Sequence, residues 1–429
     1  MANNVESNFR EKVVPTFLTE FENSRVFSKN VNTQLLEGEL DPSSGTSVAF
    51  KRNSDYLAIE TADGDLTSET PSPIVVGNGF GRVQDYITVL IDYKQVDQAL
   101  KLNQLSELLA PAAKRLATKL ETNFAKFMIK NTALKAGTVG TPVTSWSHVA
   151  EAGALMESTG IPMDGMWNYA VNPFAQIALS DEQRSLGAGG SAGGLVKSAH
   201  ERAIITEDFA GMKVMTATTQ AKYTSGSGAD RVGALSSNPD VTYVTTKDTM
   251  TQILPVSGFE ANLDVKAGEQ VQITGRNRLN LSTRELILDG TGDPIVWTAT
   301  VAADVTLSGT GTGNITVTGP AVFESGAGLG AFNTVDSAPV SGDVVTLLGA
   351  ASATHQPNLF WHKEAFSIGS VALPKLNAQE NTGTTSDGIR IKVTRGSDFL
   401  GAKNMVRFDI LPAFAALNPF LAGQGYGNP

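Results

Sequence analysis

The residues that could do chemistry in this 429-residue chain are few and poorly placed for it. With no cysteine, the chain can form no disulfide, no thiolate zinc site and no cysteine nucleophile. Gly77, Gly79 and Gly81 spell GNGFG. A dinucleotide fingerprint needs a strand before it and a helix after it; here a strand follows, so the segment reads as a hairpin arm. GGSAG at 189–193 matches G-x-S-x-G, with Ser191 as the nucleophile of a would-be hydrolase. A nucleophile elbow needs an apolar strand before the serine, and DEQRSLGA stands there instead, so this too reads as a loop. The four histidines (His148, His200, His355 and His362) lack the i, i+4 spacing of a helical zinc site and read as ordinary helix-face or strand residues. Asp63/Asp65 and Glu207/Asp208 lie in loop-like context and read as solvated charge rather than a glycosidase pair. Lys51/Arg52 and Lys114/Arg115 are isolated basic pairs suited to solvated or interfacial ion pairing. These readings leave no catalytic residue, no cofactor site and no metal site, and the chain reads as a non-enzyme.

Composition narrows the classes further. The formal charge is −10, which argues against a dominant nucleic-acid-binding surface, since phosphate contact needs a clustered positive patch. Charged residues are 18% of the chain and glycine numbers 42, a mix that fits a folded, sheet-rich protein and not a disordered one. The length predicts two to three domains. MANNVESNFREKVV lacks the basic-then-apolar order of a signal peptide, and no run of 18 apolar residues occurs, so neither export by a signal peptide nor membrane insertion is expected.

The elements that would position any site come next. Residues 5–30 read as a helix with an apolar stripe at Val13, Val14, Phe17, Leu18 and Phe21, kinked or broken at Pro15. Either this chain or a neighbour must cover that stripe. Residues 46–60 and 80–93 alternate like strands around a polar, turn-rich stretch, which together predict a long hairpin. A connection that long is unusual inside a compact domain and makes sense if it reaches another subunit. Residues 94–131 give the longest helical signal (Leu102, Leu105, Leu109, Ala113, Leu116, Leu120, Phe124 and Phe127), with Pro111 as a kink or break. Lys101, Lys114, Arg115, Lys119, Lys126 and Lys130 make its polar face mildly basic. SWSHVAEAGALMEST predicts a capped helix ended by Gly160, and MWNYAVNPF a buried strand followed by a turn. From about 222 to 356 the chain turns to Thr, Val and Gly, and VTYVTT, VQIT, IVWTATV, NITVTG and VVTLLG read as short strands of a small antiparallel barrel or sandwich. Gly226–His355 holds thirteen acidic and six basic residues, a balance of −7. Residues 357–429 return to mixed α/β character, so the all-β piece reads as an insertion.

That order of elements resembles the coat proteins of tailed phages with the Hong Kong 97 fold, and more narrowly those of short-tailed enterobacterial phages whose capsid domain carries an inserted accessory β domain. The residues that carry the resemblance are SVAFKR (47–52), GRVQDYITV (81–89), KLNQLSELLAP (101–111), LETNFAKFM (120–128), QPNLFWHKEAFSIGSVALPKL (356–376) and MVRFDILPAFAALNPF (405–420), with GNP at the end. It runs nearly end to end and is weakest over 222–356. It implies an α+β capsid fold with an N-terminal arm (1–44), an extended hairpin loop (45–93), a spine helix of a peripheral domain (94–139), an axial domain (140–221), an inserted antiparallel β-barrel (222–356) and the remainder of the axial and peripheral domains (357–429). It implies a major capsid protein that assembles as pentamers and hexamers into an icosahedral head around double-stranded DNA, through a scaffold-dependent procapsid that expands. Its partners would be itself, a scaffolding protein, a portal and, by non-specific contact, the packaged DNA, with no membrane. Its location would be the virion, after assembly in the bacterial host cytoplasm. Phe9, Val13, Phe17, Phe21, Lys51, Arg52, Asp55 and Arg82 are the candidate inter-subunit contacts, and Pro111 the candidate maturation hinge. Some relatives of this fold cross-link Lys to Asn; the accessory-domain coat proteins do not rely on that step, so Lys51 receives no catalytic role.

Two other readings compete. The inserted β domain could serve a phage or cell-surface adhesin that binds a glycan or receptor, in which case the chain would be a soluble monomer with measurable ligand affinity. A Ser191 hydrolase would lose esterase-type activity in Ser191→Ala.

Overall fold

The computed structural model describes residues 5–33, 35, 47–52, 54–94, 105–185, 208–326, 328–375, 380–398 and 403–428. Ser191, His200 and Glu207 lie outside the described residues, as do 95–104 of the expected spine helix. The described helices are α1 (Val5–Asn23), α2 (Leu105–Lys130), α3 (Trp146–Ser158), α4 (Pro173–Ser185) and a single turn, α5 (Tyr243–Thr246). The chain divides into two units, one of Met1–Ala49, Phe80–Ala125 and Phe366–Ala415, the other of Phe50–Gly79, Lys126–Ala365 and Ala416–Pro429.

The first unit is built on an antiparallel sheet in the order 380–384, 390–398, 403–410, 87–94. The apolar stripe of α1 packs on it. Phe17 stacks on Phe408 with centroids 4.0 Å apart and rings 3° from parallel. Gly383 makes room for the helix, because a Cβ there would lie 2.6 Å from Val14 Cγ1. Pro15 does not break α1, which runs through it on its exposed side. Burial of Phe17 and Phe21 against the chain's own residues outweighs the one backbone hydrogen bond that proline removes. Pro111 likewise sits inside α2 without interrupting it. Leu109, Ala113, Leu116, Leu120 and Phe124 are buried, as their spacing predicts, while Lys114, Arg115 and Lys119 are exposed. Lys94, expected to open the long helix, instead ends the strand Ile87–Lys94.

The second unit has two cores. A six-stranded sheet runs in the order 134–136, 422–425, 358–362, 167–171, 212–216, 208–209. It packs with α3 around Trp167, Tyr169, Val149, Met156 and Phe360. Beside it in sequence, 251–257, 313–318, 296–301, 270–277, 344–347 and 232–235 close into a barrel, every ladder antiparallel. Alternation dictates its interior: Leu254, Val256, Val271, Ile273, Ile315, Val317, Val345 and Leu347 point in around Trp297, which is fully buried. The chain enters and leaves this segment through paired strands, Tyr223–Thr224 against Thr354–His355.

Three local expectations need correction. VTYVTT is not a strand; its Tyr243–Thr246 turn is helical. Asp240 Oδ1 accepts from the Thr242 amide at 3.0 Å, Glu324 Oε1 accepts from the Tyr243 amide at 2.7 Å, and Tyr243 stacks on Phe332 at 3.9 Å. Those contacts override the β preference of Val and Thr. The turn after Val171 is the start of α4, with Pro173 as its first residue and Asn172 Oδ1 accepting from the Phe174 amide at 2.9 Å. The first hairpin arm is strand only over Ser47–Arg52, and residues 54–76 hold no strand or helix.

Candidate functional site

Most residues that looked capable of chemistry serve local structure. His148 Nδ1 accepts from the Thr144 and Ser145 amides at 3.2 and 3.3 Å, closing the first turn of α3. His362 Nε2 lies 3.2 Å from Asp164, and Gly77–Gly81 belong to the strand Gly77–Val83. Among the described residues no group of three or more His, Asp or Glu could hold a metal ion.

What stands out is the segment 54–76. Its two limbs are tied by serine hydroxyls: Ser72 Oγ accepts from the Leu57 amide and Ser54 Oγ from the Val75 amide, each at 3.1 Å. Leu57 and Val75 anchor its base on Tyr243, Met250, Val322 and Phe332. Beyond that base Tyr56, Ile59, Leu66 and Ile74 are 58%, 40%, 56% and 76% exposed. Single exposed apolar residues are ordinary, but these four and Val76, also exposed, on one irregular loop with a fixed base make a surface suited to a partner.

The predicted contact residues separate into internal and external sets. Arg52 is an internal strut. Its Nε donates to Leu417 O at 2.9 Å, and Nη1 donates to Lys247 O and to Asp248 O, the latter at 3.1 Å; burial pushes its pKa down. Asp55 ion-pairs with Arg284, whose Nη1 also donates to Asn333 O at 2.6 Å. Lys51 and Arg82 are exposed, and no carboxylate among the described residues pairs with either. Phe17 and Phe21 are covered by this chain itself, while Phe9 and Val13 occupy α1 positions whose side chains are not described.

Two buried carboxylates were not legible in the sequence. Glu121 on α2 is fully buried and accepts from the amides of Val26, Phe27 and Ser28 at 3.1, 2.6 and 3.1 Å, and from the Ser28 hydroxyl. It fastens the turn after α1 to the long helix. Glu269, also fully buried, pairs with Arg231 and accepts from the Gly226 and Lys266 amides at 2.8 and 2.7 Å. It stands at the root of the barrel, where Tyr223 Oη meets Tyr426 Oη at 3.1 Å and Gln424 Nε2 donates to Gly268 O at 3.1 Å.

His355 stands at that root as well. Burial lowers its pKa; the Ala350 carbonyl and Glu269 act the other way, and Arg231 adds to the lowering. A histidine with a depressed folded pKa contributes its full stability above the unfolded value of ~6.5, and loses it as pH falls from there toward the folded value. The full chain is therefore expected to unfold at lower urea concentration at pH 5.5 than at pH 7.5, and His355→Gln should shrink that difference. An unchanged difference in the variant would contradict the assignment to His355.

The sequence model of the P22 coat protein family (gene protein 5) matches residues 1–427. The major capsid protein of Acyrthosiphon pisum secondary endosymbiont phage 1 is 33% identical over 434 residues, covering all of both chains. Among solved structures, one from Mycobacterium phage Che8 is 10% identical with a TM-score of 0.46, covering 93% of this chain and 90% of its own. The capsid of cyanophage P-SCSP1u is 11% identical with a TM-score of 0.43, covering 90% and 84%. On the match over nearly its whole length, this chain belongs to the P22 coat protein family.

Proposed function

We propose that this coat protein is the major capsid subunit of a phage head. It assembles as pentamers and hexamers into an icosahedral shell of the Hong Kong 97 type, first as a scaffold-dependent procapsid in the host cytoplasm and then as an expanded, DNA-filled virion. The observation that carries this reading is the anchored loop 54–76 with its exposed Tyr56, Ile59, Leu66 and Ile74, a surface that a neighbouring subunit would bury. Within the proposal, residues 1–44 are the arm, 45–93 the extended loop, 94–139 the spine region, 140–221 and 357–429 the axial and remaining peripheral parts, and 222–356 the outward-facing accessory barrel. The charge of −7 over Gly226–His355 suits a surface held away from DNA. The exposed Lys114, Arg115, Lys119, Lys126 and Lys130 of α2 would soften repulsion of packaged DNA on the inner wall. Lys51 and Arg82, exposed and without a carboxylate partner among the described residues, are the retained polar contact candidates. Pro111 is the proposed hinge, since its missing amide leaves α2 one hydrogen bond short at that turn. Rings of heterologous contacts close such a shell.

The test is electron microscopy and sedimentation of the purified chain with and without a scaffolding partner. Closed particles, sheets or tubes are expected. A stable monomer at high concentration, even with scaffold, would overturn the reading. Deleting residues 1–30 should abolish correctly sized shells, and unchanged assembly by that truncation would remove the arm's role.

A further inference from the structure

The unit that carries the barrel contains a partly open cavity of about 170 Å³. Tyr243, Met250, Leu281, Val322, Phe332 and Phe420 form its walls, and the Asp55–Arg284 ion pair stands at its edge. Three observations set it apart from a packing gap. The first is size: an apolar engineered cavity of ~150 Å³ holds a benzene molecule. The second is backbone strain. Of the five non-glycine residues in the left-handed region among those described, two line this cavity, Met250 at φ 52° and Arg284 at φ 59°. Bulky side chains avoid that region, and such residues gather where a site is held in shape. The third is a hydroxyl available to a guest. Tyr243 is 7% exposed, and its hydroxyl has no hydrogen-bond partner among the described residues. The neighbouring polar groups are already engaged: Asn418 Oδ1 accepts from the Phe420 amide at 3.1 Å, and Thr334 Oγ1 donates to Pro320 O at 2.8 Å.

We propose that this cavity is a binding site for a neutral, single-ring small molecule carrying one hydroxyl or carbonyl. The ring lies among Met250, Val322 and Phe332, and its oxygen meets the Tyr243 hydroxyl. The walls favour a neutral guest, because Tyr243, Met250, Val322 and Phe332 offer no charge and Arg284 is already paired with Asp55. The thioether of Met250 adapts to a flat ring face. Arg284, clamped on Asn333 O and Asp55, keeps the opening in place before any guest arrives. The site does not depend on the assembly reading and stands or falls separately from it.

The experiment uses the full chain with phenol as the probe and the methionine ε-methyl signals as the readout. Saturable, about millimolar binding that shifts the Met250 signal is expected, a strength normal for so small a ligand. Tyr243→Phe should keep the fold and benzene binding while weakening phenol about fivefold, the worth of one ordinary hydrogen bond. Val322→Phe, which fills the cavity, should remove both. Failure of phenol to saturate the wild-type signal would overturn the proposal. So would an unchanged phenol affinity in Tyr243→Phe, or a saturating shift confined to other methionines.

Discussion

Glu269→Ala is expected to lower the unfolding free energy of the full chain by about 3–5 kcal/mol, the largest single effect in the barrel. Glu269 and Arg231 are 0% and 6% exposed, so the substitution strands a guanidinium away from water. It also removes the acceptor of the Gly226 and Lys266 amides. Each unpaired buried donor adds a penalty of about 1–3 kcal/mol where water cannot reach it. The double variant Glu269→Leu/Arg231→Met should recover much of the loss, because an apolar pair of similar volume avoids the stranded charge. Urea unfolding of the three proteins decides the matter. A loss below about 1 kcal/mol for Glu269→Ala would mean that solvent reaches the site and the burial argument fails. The position matters for function because Gly226 begins the barrel segment, two residues after the paired strands through which the chain enters and leaves it.

Glu121→Ala should be the most damaging change in the first unit, at about 3–5 kcal/mol. The carboxylate gathers three consecutive backbone amides and a hydroxyl onto α2. Glu121→Gln keeps one carbonyl oxygen and should lose less than the alanine variant. The distinguishing readout is limited proteolysis. Cleavage near residues 24–35 should accelerate in Glu121→Ala under conditions where the barrel stays protected, since the contact holds a turn and not a core. Uniform acceleration across the chain would show that Glu121 supports the whole unit instead. In the assembly reading, a loosened turn also frees α1 from its place, so closed shells should form poorly even where the protein remains folded.

Much of the fold is legible in the sequence. The stripe Leu109–Ala113–Leu116–Leu120–Phe124 repeats at three and four residues, and only one side of a helix can collect such positions. Alternation in VQIT, NITVTG and VVTLLG likewise puts the apolar side chains on one face, which marks the barrel as an antiparallel module, whereas in IVWTATV Thr298 and Thr300 on the other face are buried as well. α4 was missed although Asn172-Pro173 is a helix-start signal; a strand read as ending in a turn hid it.

What the chain alone determined, then, is which face of each element is apolar, where the composition changes, and an order of elements that resembles one coat-protein architecture. What the tertiary structure decided is what covers each face. Phe17 lies against this chain's own sheet, Phe21 is buried within the chain, and Arg52 and Asp55 are tied to carbonyls and to Arg284 of the same chain instead of remaining free for a neighbour. VTYVTT became helical because Asp240 and Glu324 reach its amides from outside the segment. Glu121 and Glu269 meet amides up to 95 and 43 residues away. Periodicity is a local property, set by the geometry of one element, and it leaves its mark on neighbouring residues. A hydrogen bond closed across tens of residues leaves no such mark, because its partners share nothing in sequence except the fold that brings them together.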